Sequence, residues 1–168
     1  PGPRIEFGSG NPAAFGIDPA DTKHLRWLSV DGKLHSFNLA SSSEDDVWSL
    51  KIDRCGKAAM SADTKTIALN HERGIGVWDV GARKFLAGWS FGSGIERIQV
   101  LALSRDSRWL AVVTTAWDRP TPVDVYLFDV KAREQTSYFG LGARATLHVW
   151  GRPVLDRKQQ ILRLADIE

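Results

Sequence analysis

The sequence predicts an all-β fold built from repeated four-stranded units. Three observations predict it. A turn-forming string recurs at intervals of 42 and 43 residues. A strand-like string ending in Asp or Asn plus an aliphatic recurs downstream of each copy. Apart from the tail from Asp156 to Ile167, no window keeps the i, i+3, i+4, i+7 apolar stripe of a helix over three turns.

The turn string reads Asp21-Thr22-Lys23-His24-Leu25, Asp63-Thr64-Lys65-Thr66-Ile67 and Asp106-Ser107-Arg108-Trp109-Leu110. Asp followed by Thr or Ser suits a tight turn, because these short side chains bond nearby backbone N–H groups. Each copy opens a short run free of Pro: Leu25–Val30, Ile67–Leu69 and Leu110–Val113. Continuous apolar character of this kind predicts strands buried on both faces. The downstream string reads Leu34–Leu39, Ile75–Val80, Val125–Val130 and, more weakly, Leu162–Ile167, with Asp or Asn in the fifth place of all four. The last copy assigns the tail to a strand. Upstream of the turn lie Ala13–Ile17, Ala58–Ser61 and Val100–Ser104, whose small residues suit close packing near a crowded axis.

A unit of about 43 residues with three recognisable strands leaves room for a fourth. Candidates are Phe85–Trp89 and Thr136–Phe139. Four strands per unit of this length is the arithmetic of a β-propeller blade. The predicted units are residues 12–54, 55–97, 98–140 and a partial unit at 141–168, forming one incomplete ring of three to four antiparallel blades. Residues 1–11 are read as the end of a preceding blade or a tail, and the chain as a segment of a longer propeller. An α/β fold would need long helices between the strands, and the pattern leaves no place for them.

At these residues the chain resembles WD40-like β-propellers. Met60-Ser61-Ala62-Asp63 with Thr66-Ile67-Ala68, then Gly74-Ile75-Gly76-Val77-Trp78-Asp79-Val80, carry the resemblance. Leu103-Ser104-Arg105-Asp106, Trp109–Val112 and Leu127-Phe128-Asp129-Val130 repeat it. The Gly-His pair that precedes the first strand in family members is absent, and His24, His35, His71 and His148 stand elsewhere. The resemblance implies a rigid disc whose rim loops contact other proteins.

Composition narrows the function classes. The 168 residues carry 22 basic and 20 acidic groups, a balance that does not point to a dedicated nucleic-acid or membrane-surface protein. One Cys allows no disulfide framework and no thiolate cluster, and is compatible with a cytoplasmic setting. No metal spacing joins the four His, so neither metal nor cofactor is expected.

The expected contacts lie in the loops between second and third strands. Trp117, Asp118 and Arg119 sit in the longest of these, stiffened by Pro120 and Pro122, and Trp beside Arg is a frequent hot-spot composition. Asn70, His71, Glu72 and Arg73 form the second candidate loop. The first loop, Asp31-Gly32, is a strong tight-turn signal. The acidic run from Ser41 to Asp46 is read as a solvated loop between blades, and Cys55 as a packed, inert thiol. Gly140-Leu141-Gly142-Ala143-Arg144-Ala145 matches a loose dinucleotide fingerprint, but β-branched and aromatic residues follow it where a helix would have to open. The leading expectation is a non-catalytic scaffold that binds other proteins. The alternative is a propeller enzyme, or the propeller domain of a hydrolase, lactonase or peptidase. Exposed blade edges also raise the expectation of self-association.

Overall fold

The computed structural model describes residues 12–52, 54–71, 74–90, 96–116, 123–141, 152–156 and 161–165. Among them the chain forms three four-stranded antiparallel sheets and one two-stranded sheet, with no helix. Blade 1 contains β1 (Ala14–Asp18), β2 (Asp21–Leu28), β3 (Lys33–Asn38) and β4 (Ser43–Ser49). Blade 2 contains β5 (Ala58–Met60), β6 (Thr66–His71), β7 (Gly74–Asp79) and β8 (Lys84–Trp89). Blade 3 contains β9 (Glu96–Leu103), β10 (Trp109–Ala116), β11 (Val123–Asp129) and β12 (Glu134–Leu141). The hairpin of β13 (Arg152–Asp156) and β14 (Ile161–Ala165) follows. In every blade the strands pair in chain order, so each is a meander. The fold is an all-β propeller segment, and its ring is not closed.

One prediction needs correction. The run from Ser41 to Asp46 is no loop between blades: Ser43–Ser49 is the outer strand of blade 1, paired with β3 from Lys33↔Ser49 to Asn38↔Ser43. Backbone pairing needs no apolar pattern, and β4 is exposed along almost its whole length.

The recurring strings fold into the same local devices. In blade 2 the Ser61 hydroxyl donates to Asp63 Oδ1 (2.6 Å) and accepts from Thr66 N–H (2.9 Å), while Lys65 N–H donates to the same carboxylate oxygen (3.1 Å). In blade 3 Ser104 and Asp106 repeat the arrangement, with Trp109 N–H donating to Ser104 Oγ at 2.8 Å. In blade 1 this position holds Asp18, whose Oδ1 accepts from Ala20 N–H (2.8 Å). The Ser-x-Asp device reappears there between β2 and β3, where the Ser29 hydroxyl donates to Asp31.

The fifth residue of the second string closes the turn to the outer strand. Asn38 Oδ1 accepts from Ala40 N–H (2.9 Å), Asp79 Oδ1 from Ala82 N–H (2.8 Å) and Asp129 Oδ1 from Ala132 N–H (2.9 Å). Four residues beyond each, Ser42, Arg83 and Arg133 adopt left-handed φ of 55°, 51° and 60°. The aliphatic after each Asp or Asn is tied to the second strand: the N–H groups of Leu39, Val80 and Val130 donate to the carbonyls of Lys23, Lys65 and Arg108 at 2.7, 2.8 and 2.8 Å.

The core lies between blades. Side chains alternate along each strand, so paired residues share a face. In blade 2, Ile67, Leu69 and Trp78 pack toward Leu28 and Leu34 of blade 1. Ala68, Ile75 and Val77 point the other way, onto Leu101, Leu110, Val112 and Phe128 of blade 3. Trp78 lies over Gly76, where an added Cβ would stand 2.3 Å from the indole. The inner strand β5 neighbours both β1 and β9, as their small residues predict. On the face of blade 1 turned away from blade 2, Phe15 is 66% exposed and Ile17 43%.

Phe128 is buried against Trp89 at 4.5 Å between ring centroids, whereas Phe85 is 51% exposed. Phe128→Ala is expected to cost about 3–5 kcal/mol in urea-monitored unfolding. Phe85→Ala is expected to cost less than about 1 kcal/mol in the same measurement.

Candidate interaction rims

Each blade has two ends. The hairpins between β2 and β3, β6 and β7, and β10 and β11 define the hairpin rim, shared with the crossovers between blades. The turns that join the first strand of each blade to the second, and the turns into β4, β8 and β12, define the opposite, turn rim.

Asn70 and His71 end β6 on the hairpin rim. The Asn70 side-chain oxygen accepts from Lys57 N–H, and its backbone exchanges bonds with Lys57 O (2.9 Å) and Gly56 N–H (3.1 Å). This side chain thus clamps the crossover into blade 2. The His71 ring stands edge-on to Trp78 at 6.1 Å and is half-buried. Glu72, Arg73, Trp117, Asp118 and Arg119 lie outside the described residues; β10 and β11, which flank the last three, end on this same rim.

The blade 1 part of the hairpin rim is a built turn. Gly32 has φ 73°, and a Cβ there would stand 2.4 Å from Ile52 Cγ1 of the crossover. Left-handed φ and the close approach both demand glycine. Asp31 pairs with Lys33 (2.7 Å), and the Lys33 ammonium, then the Ser29 hydroxyl, hold its carboxyl down at about 2 from an ordinary 3.8. Cys55 is packed beneath this rim, and burial pushes its thiol up to about 11. Arg54 and Lys57, its basic neighbours in sequence, do not reverse that effect.

Because β4 is a strand, its carboxylates meet histidines whose partners the sequence reading did not find. His24 Nδ1 lies 2.6 Å from Asp21 Oδ2 and its Nε2 3.1 Å from Asp45 Oδ2. His35 Nδ1 lies 2.5 Å from Glu44 Oε1, and its ring stacks on Trp27 at 4.8 Å. The four-strand arithmetic of the blade was the available signal, since only residues in the forties are left to supply the outer strand. Among the described residues no three His, Cys, Asp or Glu side chains group to hold a metal ion.

The turn rim carries repeated cations. Between blades 1 and 2 a groove of about 320 Å³ is lined by Arg26, Lys65 and Arg83, with Asp18 and Asp46. Arg26 donates to Thr64 Oγ1 across the blades (2.7 Å), and Arg83 pairs with Asp46. Between blades 2 and 3 a groove of about 460 Å³ is lined by Arg108, Lys131 and Arg133, with Asp106. The Ser104 hydroxyl holds the Asp106 carboxyl below its ordinary value, and the Ala132 N–H does the same for Asp129.

No protein-family model matches this sequence, and a search of curated proteins returns no significant similarity.

Asp31 has a depressed folded-state pKa, so its contribution to stability is present above pH about 4 and lost as pH falls toward about 2. Asp31→Asn should lower the urea midpoint slightly at pH 6, as befits an exposed pair, with the difference vanishing near pH 2. Cys55 should react with an aromatic disulfide at pH 8 about a hundredfold more slowly in the native protein than in urea, read from thiol release by absorbance.

Proposed function

We propose that this chain is a WD40-like propeller segment that recognises another protein through its hairpin rim and carries no catalytic centre of its own. The observation that supports the reading is the threefold repetition of one meander, which sets three hairpins of different length and chemistry on one rim. The turn and crossover bonds of Asn70, Gly32 and Ser29 fix the strand ends from which these loops rise. A rigid platform with variable loops suits recognition, because the strand ends that carry the loops need no ordering when the partner arrives. In this reading His71, Glu72 and Arg73 make one part of the contact and Trp117, Asp118 and Arg119 the other, while Asn70 positions the loop.

Site-specific photocross-linking in the cells that make the protein tests the reading. A benzophenone amino acid in place of His71 is expected to trap a discrete protein adduct, and Trp117→Ala in the same chain is expected to cut its yield several-fold. The same probe in place of Ser41, on the turn rim, serves as the control. Equal yields at the two positions would remove the hairpin rim as the contact surface.

A further inference from the structure

The two grooves of the turn rim occupy equivalent places in the repeat, and they differ in one respect. Between blades 1 and 2, Arg83 crosses the gap to Asp46 of β4. Arg133 is the counterpart of Arg83, four residues beyond the turn-closing Asp and likewise at left-handed φ. The counterpart of Asp46 in blade 2 is Ala87: Asp46 pairs with Ser36, and Ala87 with the equivalent Val77. Blade 3 therefore keeps the cation of the clamp while blade 2 lacks the anion. Lys131 stands where blade 2 has Gly81, adding a second charge. Among the described residues neither Lys131 nor Arg133 makes an ion pair.

Of the nearby carboxylates, Asp106 lines the groove itself and offsets one of the positive charges, while Asp129 is paired with Arg108. Asp106 Oδ1 accepts from the Ser104 hydroxyl and Arg108 N–H. Asp129 accepts from the N–H groups of Lys131 and Ala132 and from Arg108 Nε (3.0 Å). Glu134 follows Arg133 in an exposed position. The Ser107 hydroxyl, on the groove wall, is buried without a hydrogen-bond partner. Leu86 and Val130 give the groove an apolar side.

We infer that the groove between blades 2 and 3 binds an acidic peptide segment of a partner protein, its carboxylates held by Lys131 and Arg133 and an aliphatic side chain resting on Leu86 and Val130. Carboxylate is the group that the equivalent groove already places against the equivalent arginine. Single-stranded nucleic acid fits less well, because among the described residues no aromatic side chain lines the groove for base stacking, and the Arg108 guanidinium covers the Trp109 ring at 4.8 Å. The surface lies on the rim opposite the hairpins, so the inference stands apart from the reading above.

The test is fluorescence anisotropy with a labelled peptide of alternating glutamate and leucine, on the whole chain. Lys131→Glu with Arg133→Glu is expected to weaken binding at least about tenfold. Lys51→Glu with Lys57→Glu makes the same change of net charge on the hairpin rim and should alter binding less than about twofold. Urea midpoints of all variants confirm that each is folded. Equal losses from the two double variants, no binding at about 1 mM chain, or displacement by single-stranded DNA more effective than by unlabelled peptide would each overturn the inference. Any of these outcomes leaves the cross-linking result at His71 unaffected.

Discussion

No blade of this protein can bury its own apolar residues. A four-stranded meander has two faces, and the central strands here are oily on both. In β6, Ile67, Ala68 and Leu69 all have zero exposure, two of them covered by blade 1 and the middle one by blade 3. Every other feature follows from that stacking. The inner strands need small residues because they crowd together. The outer strands can be polar because they lie beyond the packed zone. The turns must be alike, because only blades of equal outline stack with their faces in register.

Stacking also divides labour between strands. The second and third strands supply the buried side chains, and the loops that leave them are free to vary. Lengthening from the four-residue Ser29–Gly32 turn to the long connection between β10 and β11 changes neither blade pairing nor sheet order. The turn rim is the conservative end: Ser and Asp recur there in blades 2 and 3, and a left-handed residue in all three blades. Arg83 and Arg133 occupy backbone conformations that cost an L-residue about 1 kcal/mol relative to glycine. Both side chains line the inter-blade grooves.

The parts of the fold legible in the sequence were those governed by local chemistry or by burial. Asp63 and Asp106 announce their turns because the side chain itself makes the turn's hydrogen bonds. Ile67 and Leu110 announce strands because double burial demands unbroken apolar runs. β4 was illegible for the opposite reason. Its residues are recruited by the backbone of β3, and Glu44, Asp45 and Asp46 show nothing that separates an exposed strand from a solvated loop. With β4 went the surroundings of His24 and His35, which depend on carboxylates far along the chain. The inter-blade grooves were equally hidden, since Arg133 and Leu86 come to line one groove only through stacking. Asn70 was seen as a loop residue, yet its oxygen is used inside the blade, a role set by the crossover from Lys57.

The acidity of β4 has a bearing on solubility. An unpaired outer strand offers a row of backbone donors and acceptors to any chain that arrives extended, and aggregation starts at such borders. Three consecutive carboxylates at Glu44, Asp45 and Asp46 mean that an antiparallel or parallel approach by the same segment of another copy brings like charges within about 5 Å of one another. The histidines and Arg83 reach these carboxylates from their own chain and leave the strand's free margin to solvent. The outer strand of blade 1 is thus guarded by its acidic side chains.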